Sequence, residues 1–74
     1  MFIYKDIITV EAGKRSGKPC IRGMRITVED ILRYLASEMS IEDIMYDFPE
    51  LSKKDILTAI EFAANRQART AVAA

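Results

Sequence analysis

Apolar and polar residues follow two different rhythms along this chain. Up to Ile26 the apolar residues come in short, often β-branched runs cut by turn formers. The run Asp6-Ile7-Ile8-Thr9-Val10-Glu11 ends at Ala12-Gly13 and predicts a strand. Gly17-Lys18-Pro19 predicts a turn, because Gly reaches unusual backbone angles and Pro fixes φ. Cys20-Ile21-Arg22 gives a second short extended piece, Gly23 a second tight turn, and Met24-Arg25-Ile26 the way out of it. Residues 1–27 therefore read as a β-arm or hairpin with its turns.

From Thr27 the spacing turns helical, and three helix starts are marked. Thr27-Val28-Glu29-Asp30, Ser40-Ile41-Glu42-Asp43 and Ser52-Lys53-Lys54-Asp55 each place a hydroxyl three residues ahead of a carboxylate. That is the capping-box arrangement, with Asp in place of the longer Glu or Gln. A first helix is expected over Val28–Ala36, burying Val28, Ile31, Leu32 and Leu35. A second is expected over Ile41–Asp47, with Ile41, Ile44, Met45 and Phe48 inward, and Pro49 stops it. The third follows Ser52 and turns Ile56, Leu57, Ile60, Ala63 and Ala64 inward, while Phe62 reads either as core packing or as part of an apolar contact surface. The expected fold class is mostly α, a three-helix, helix-turn-helix-like core over 28–67 preceded by a short β-arm. The chain forms one domain, and its alanine-rich tail at 68–74 is expected to fray unless a partner orders it.

Size makes association the natural expectation. A chain of 74 residues buries only about 60% of the surface its unfolded form exposes, which leaves a lone core marginal. Cys20 is the single cysteine and there is no histidine, so an internal disulfide and the usual structural zinc are both excluded. Self-association, expected here as a homodimer, is the remaining way to add buried surface. Met1 to Asp6 shows neither a charged leader nor a long apolar core, and no run approaches the ~20 apolar residues that span a bilayer. One free thiol suits a reducing interior, so a cytoplasmic protein without a membrane partner is expected. No acid–base constellation stands out, so neither an enzyme nor a cofactor is expected.

Formal net charge is zero, yet the charge is segregated. Residues 1–28 carry six basic and two acidic side chains, residues 29–52 one basic and seven acidic, and residues 53–74 four basic and two acidic. Such blocks either make patches for partners or pair with each other within the fold, and the sequence leaves both readings open.

The most specific local pattern is Gly17-Lys18-Pro19-Cys20-Ile21-Arg22-Gly23-Met24-Arg25-Ile26-Thr27-Val28. It resembles the Gly-Lys-Pro-x-Ile-x-Gly-Thr-Arg-Ile-x-Val signature of the family called domain of unknown function 433. Ser40-Ile41-Glu42-Asp43-Ile44, Asp47-Phe48-Pro49-Glu50-Leu51-Ser52 and Ala59-Ile60-Glu61-Phe62-Ala63 follow in that family's order, so the resemblance spans roughly residues 7–65. Met24 departs from the signature's Thr. The resemblance implies a compact helical domain related to winged-helix or homeodomain-like folds. It also implies an antitoxin of the VapB type, with a PIN-like ribonuclease toxin as partner and operator DNA as a further target. Some relatives are associated with other ligands, haem among them. The function expected from the resemblance is therefore an antitoxin-like regulatory dimer; the alternative is a protein- or ligand-binding adaptor dimer with no nucleic-acid role.

Each candidate residue has a structural reading beside the functional one. Arg22 and Arg25 flank the Gly23 turn, where a guanidinium fork suits phosphate or an acidic partner, or else pins the turn through carbonyls or a carboxylate such as Asp30. The close specification by Gly and Pro favours the pinning role for Arg22. Lys14, Arg15 and Lys18 lie in a loop suited to phosphate contacts or simply to solvent, and Lys53 and Lys54 open the third helix, where recognition helices meet DNA. Glu42, Asp43, Asp47 and Glu50 oppose that reading, because they would repel a polyanion; they form a solvated face or meet a basic partner. Tyr34 and Tyr46 are candidates for an interface, since they join apolar area to a polar tip, with core packing as the alternative reading. Cys20 reads as a small buried apolar side chain.

Overall fold

The structure, a computed structural model, describes residues 1–73, with side-chain surroundings for residues 1–65. The expectation that the tail at 68–74 frays unless a partner orders it concerns a segment whose surroundings lie outside the described residues. The elements run β1 (Phe2–Tyr4), β2 (Ile8–Val10), β3 (Cys20–Ile21), α1 (Val28–Ala36), α2 (Ile41–Asp47) and α3 (Lys53–Ala73). The architecture is mostly helical, with a small antiparallel sheet at the N-terminal side.

All three helix starts are built as the hydroxyl–carboxylate spacing requires. Thr27 Oγ1 accepts from Asp30 N at 2.9 Å while Thr27 N donates to Asp30 Oδ2 at 3.0 Å. Ser40 and Asp43 repeat the exchange at 3.0 Å in both directions. Ser52 and Asp55 repeat it at 3.0 and 3.1 Å. The shorter Asp reaches back without difficulty. The observed α1 and α2 coincide with the expected spans.

The sheet is richer than the sequence pattern predicted. Its strand order is β1-β2-β3, with Phe2 opposite Val10, Ile3 opposite Thr9 and Tyr4 opposite Ile8. Residues 2–4 form a strand that the pattern did not anticipate, and Asp6, expected inside a strand, lies in the connecting turn. There Lys5 and Asp6 both have positive φ, 51° and 59°, the mark of the hairpin turns whose twist matches paired strands. Ile7 N closes the turn on Tyr4 O at 3.0 Å. A second turn of similar kind follows β3, with Arg22 at φ 45°, Gly23 at φ 74° and Met24 N bonded to Ile21 O at 2.8 Å.

Five isoleucines meet at the centre, one from each of β2, β3, α1, α2 and α3. Ile8, Ile21, Ile31, Ile44 and Ile56 are fully buried, and each contributes on the order of 2 kcal/mol of apolar burial. Ile7, Val28, Leu51, Ala59 and Phe62 complete the core, and Tyr34, Leu35, Ile41, Met45, Phe48 and Ile60 pack on its rim. Leu32, Leu57 and Ala64, expected inward, are exposed instead. Leu57 lines an open depression on α3. Ala59 takes an inward place on α3 that the spacing argument left out. No helix among the described residues is long and apolar enough to cross a membrane.

Candidate functional site

The loop cations are absorbed by the fold. Arg22 Nε and Nη2 grip the Asp55 carboxylate at 2.9–3.3 Å, and Nη2 also donates to Glu50 O at 2.7 Å. One guanidinium from the arm thus ties down both the α2–α3 turn and the start of α3. Asp55 is almost fully buried, so removal from water pushes its carboxyl up. The bonds from Arg22 and Ser52 N outweigh that and hold it below the ordinary carboxylate range. The Arg22 guanidinium is correspondingly driven further toward the charged form, chiefly by its hydrogen bond to Asp55.

Arg15 makes the matching tie at α1. Its Nη1 donates to Asp30 Oδ2 at 3.1 Å and to the Arg25 carbonyl. Partial burial pushes the Asp30 carboxyl up, while bonds from Thr27 and Arg15 hold it lower overall. Lys18 pairs with Glu29 at 2.9 Å, a pairing that, with nearby Arg33, lowers the Glu29 pKa. Lys14 Nζ donates to Gly23 O and lies 3.5 Å from Glu11. Lys5 pairs with Glu61 at 2.8 Å. Five of the six basic side chains in residues 1–28 are therefore spent inside the molecule, and the pinning reading of Arg22 holds with Asp55 as its carboxylate.

What stays free is informative. Arg25, Lys53 and Lys54 are exposed and make no ion pair among the described residues. Lys53 and Lys54, with Leu57, Thr58 and Glu61, line a shallow open depression of about 500 Å³ on α3. Glu42, Asp43, Tyr46 and Asp47 share the outer face of α2, all exposed, with Glu50 in the turn that follows. Glu42, Asp47 and Glu50 have no cation within reach among the described residues. Tyr46 is 86% exposed in the midst of this acidic face. Tyr34 is placed differently: it stacks on Phe48 at 5.2 Å between ring centres and belongs to the packing of α1 on the end of α2.

Cys20 is 1% exposed, its Sγ lies 3.3 Å from Lys18 O, and burial pushes its thiol pKa up, so it is held as a protonated core side chain. No group of three metal-ligating side chains gathers among the described residues.

The arm fixed to three capped helices by Arg15 and Arg22 is the part of the chain that a known family shares. A family profile described as "Protein of unknown function (DUF433)" matches residues 8–63. The chain belongs to the DUF433 family. A crystal structure of a DUF433 member from Anabaena variabilis ATCC 29413 is similar in fold, with a TM-score of 0.81 at 20% identity over 88% of this chain. The chain covers 64% of that DUF433 structure's length. No curated protein matches the sequence. The DUF433 match starts at Ile8, after β1, so the outer strand lies beyond the family's matched region.

Sequence reasoning missed two features of this surface. It saw Asp55 only as a cap, because nothing local links it to Arg22, 33 positions away. It also passed over the aromatic contacts of the arm with α3: Phe2 and Tyr4 lie 6.4 and 5.2 Å from Phe62, and Asn65 Nδ2 donates to Tyr4 Oη at 3.0 Å. The apolar run Phe2-Ile3-Tyr4 was the available signal.

Proposed function

We propose that this chain is a cytoplasmic, antitoxin-like binding module that acts as a homodimer and grips a basic protein surface with the acidic outer face of α2. The observation that carries the reading is the charge left over after internal pairing. Apart from Arg25 the basic arm is paired within its own fold, whereas Glu42, Asp47 and Glu50 remain uncompensated around the exposed Tyr46. An aromatic anchor ringed by like charge is suited to a protein interface with a complementary rim. A ribonuclease has to attract RNA and therefore presents basic surface, and an acidic helix seated there would compete with substrate. The chemistry is left to the partner.

Operator DNA is the second target in this proposal, supported by Lys53 and Lys54 at the start of α3 with Arg25 free nearby in sequence to α1. The acidic α2 face weakens that contact, so phosphate binding is expected to be modest and steeply salt-dependent.

The test is calorimetric titration of the purified chain into the protein encoded next to its gene, at rising salt. Binding that loosens with salt, and that drops at least tenfold in the double variant Glu42→Lys, Asp47→Lys, supports the reading. Binding unaltered by the double charge reversal, or no binding at low salt, overturns it.

A further inference from the structure

The arm ends on an open edge. The strand order β1-β2-β3 leaves the outer side of β1 unpaired among the described residues. Soluble proteins usually guard such an edge with Lys, Pro, a bulge or a covering element, because unpaired N–H and C=O groups recruit other strands. Phe2-Ile3-Tyr4 carries none of the guarding residues. Met1, Phe2 and Ile3 are exposed at 86%, 51% and 52%, and no charged side chain lies between Met1 and Lys5.

We infer that this edge pairs with the same edge of a second copy, antiparallel about a two-fold axis at Ile3, which joins two three-stranded sheets into one of six strands. The inference rests on the dimeric reading above and says where the dimer forms. Tyr4 O is turned inward, since it accepts from Ile7 N within the hairpin. Alternation along a strand then points the N–H and C=O of Ile3 outward. Two copies centred on Ile3 exchange both of those bonds. Phe2 of one copy falls opposite Tyr4 of the other, and both residues face the side of the sheet that holds Phe62. Aromatic cross-strand pairs of this kind are favourable, so the edge is complementary to itself in register and face. An unrelated strand would match the backbone but not this pairing. The edge offers roughly 300 Å² of apolar surface per copy against ~800 Å² per partner in a standard interface, so the dimer is expected to be weak and dependent on concentration.

Sedimentation velocity from about 1 to 500 μM reads the assembly directly. The wild type is expected to pass from monomer to dimer across that range. Ile3→Lys puts two ammonium groups opposite each other on the two-fold and is expected to remain monomeric throughout, with an unchanged circular dichroism spectrum. In a second arm, Ile3→Cys is expected to form a disulfide-linked dimer with oxidised glutathione, whereas Glu38→Cys, at an exposed position outside the sheet, is not; buried Cys20 does not compete. A wild type that dimerises while Ile3→Lys dimerises equally, or while Ile3→Cys stays unlinked, overturns the edge but leaves the dimer standing. A wild type that is monomeric at every concentration removes both.

Discussion

Among the described residues, six that are not glycine hold a positive φ: Lys5, Asp6, Arg15, Ser16, Arg22 and Glu38. Each costs about 1 kcal/mol relative to an ordinary backbone, so each needs a reason. Arg15 and Arg22 have one, because their side chains make the ties to Asp30 and Asp55. Glu38 has none: it is exposed, unpaired, and sits at φ 70° just past α1. There Glu38 N bonds Leu35 O at 3.0 Å and Met39 N bonds Tyr34 O at 3.2 Å, the paired bonds of a Schellman ending that glycine usually occupies. Glu38→Gly is therefore expected to stabilise the fold by about 0.5–1 kcal/mol in urea unfolding. At Gly23 the opposite holds. A Cβ there would meet nothing closer than 3.8 Å, so Gly23→Ala is expected to destabilise by about 1 kcal/mol through backbone strain alone.

Residue-scale chemistry also sets the acid response. Asp30 and Asp55 both titrate below their ordinary value in the folded state. Their contribution is fully present above the unfolded pKa of about 4 and is lost as pH falls through the lower folded values. Stability should thus drop below about pH 4. Asp55→Asn is expected to cost about 1–3 kcal/mol at neutral pH and to flatten that acid limb, as read from urea midpoints between pH 2 and 7.

At the scale of elements, local signals were legible, whereas the reach of one element over another was not. A Ser or Thr followed three residues on by Asp fixes a helix start without help from the rest of the chain, and all three starts stand where that spacing put them. Ser40→Ala removes such a cap from the shortest helix. It is expected to cost about 1 kcal/mol and to raise amide exchange over 41–44 first. Leu32 and Leu57 were misplaced because helical periodicity identifies a stripe but not how wide a neighbour covers it. β1 was missed because a three-residue strand is defined by its partner, β2, rather than by its own propensity. The end of α1 gave no glycine to read.

At the scale of the whole molecule, segregated charge had two readings in the sequence, and long-range geometry separates them for the basic arm. Pairings such as Lys5–Glu61 and Arg22–Asp55 join residues 56 and 33 positions apart, which no local pattern encodes. The family signature brought the arm and helices together as one motif without saying which contacts do so. Arg22 is the strongest single link between arm and helices, reaching Asp55 and Glu50 O from its hairpin turn. Arg22→Ala is expected to speed hydrogen exchange at the amides of Leu51 and Ile56 while leaving the first turn of α1 protected. Equal acceleration in both places would show that the link is not local to that junction.

The lone thiol at position 20 gives the molecule a built-in clock. Because it lies walled in among β2, β3 and the start of α1, a thiol reagent can reach it only when the domain opens. The rate of its alkylation, compared with that of a free peptide thiol, then measures how often the native structure comes apart. Mutants of the arm, the caps or the edge can be ranked by that rate without introducing any label.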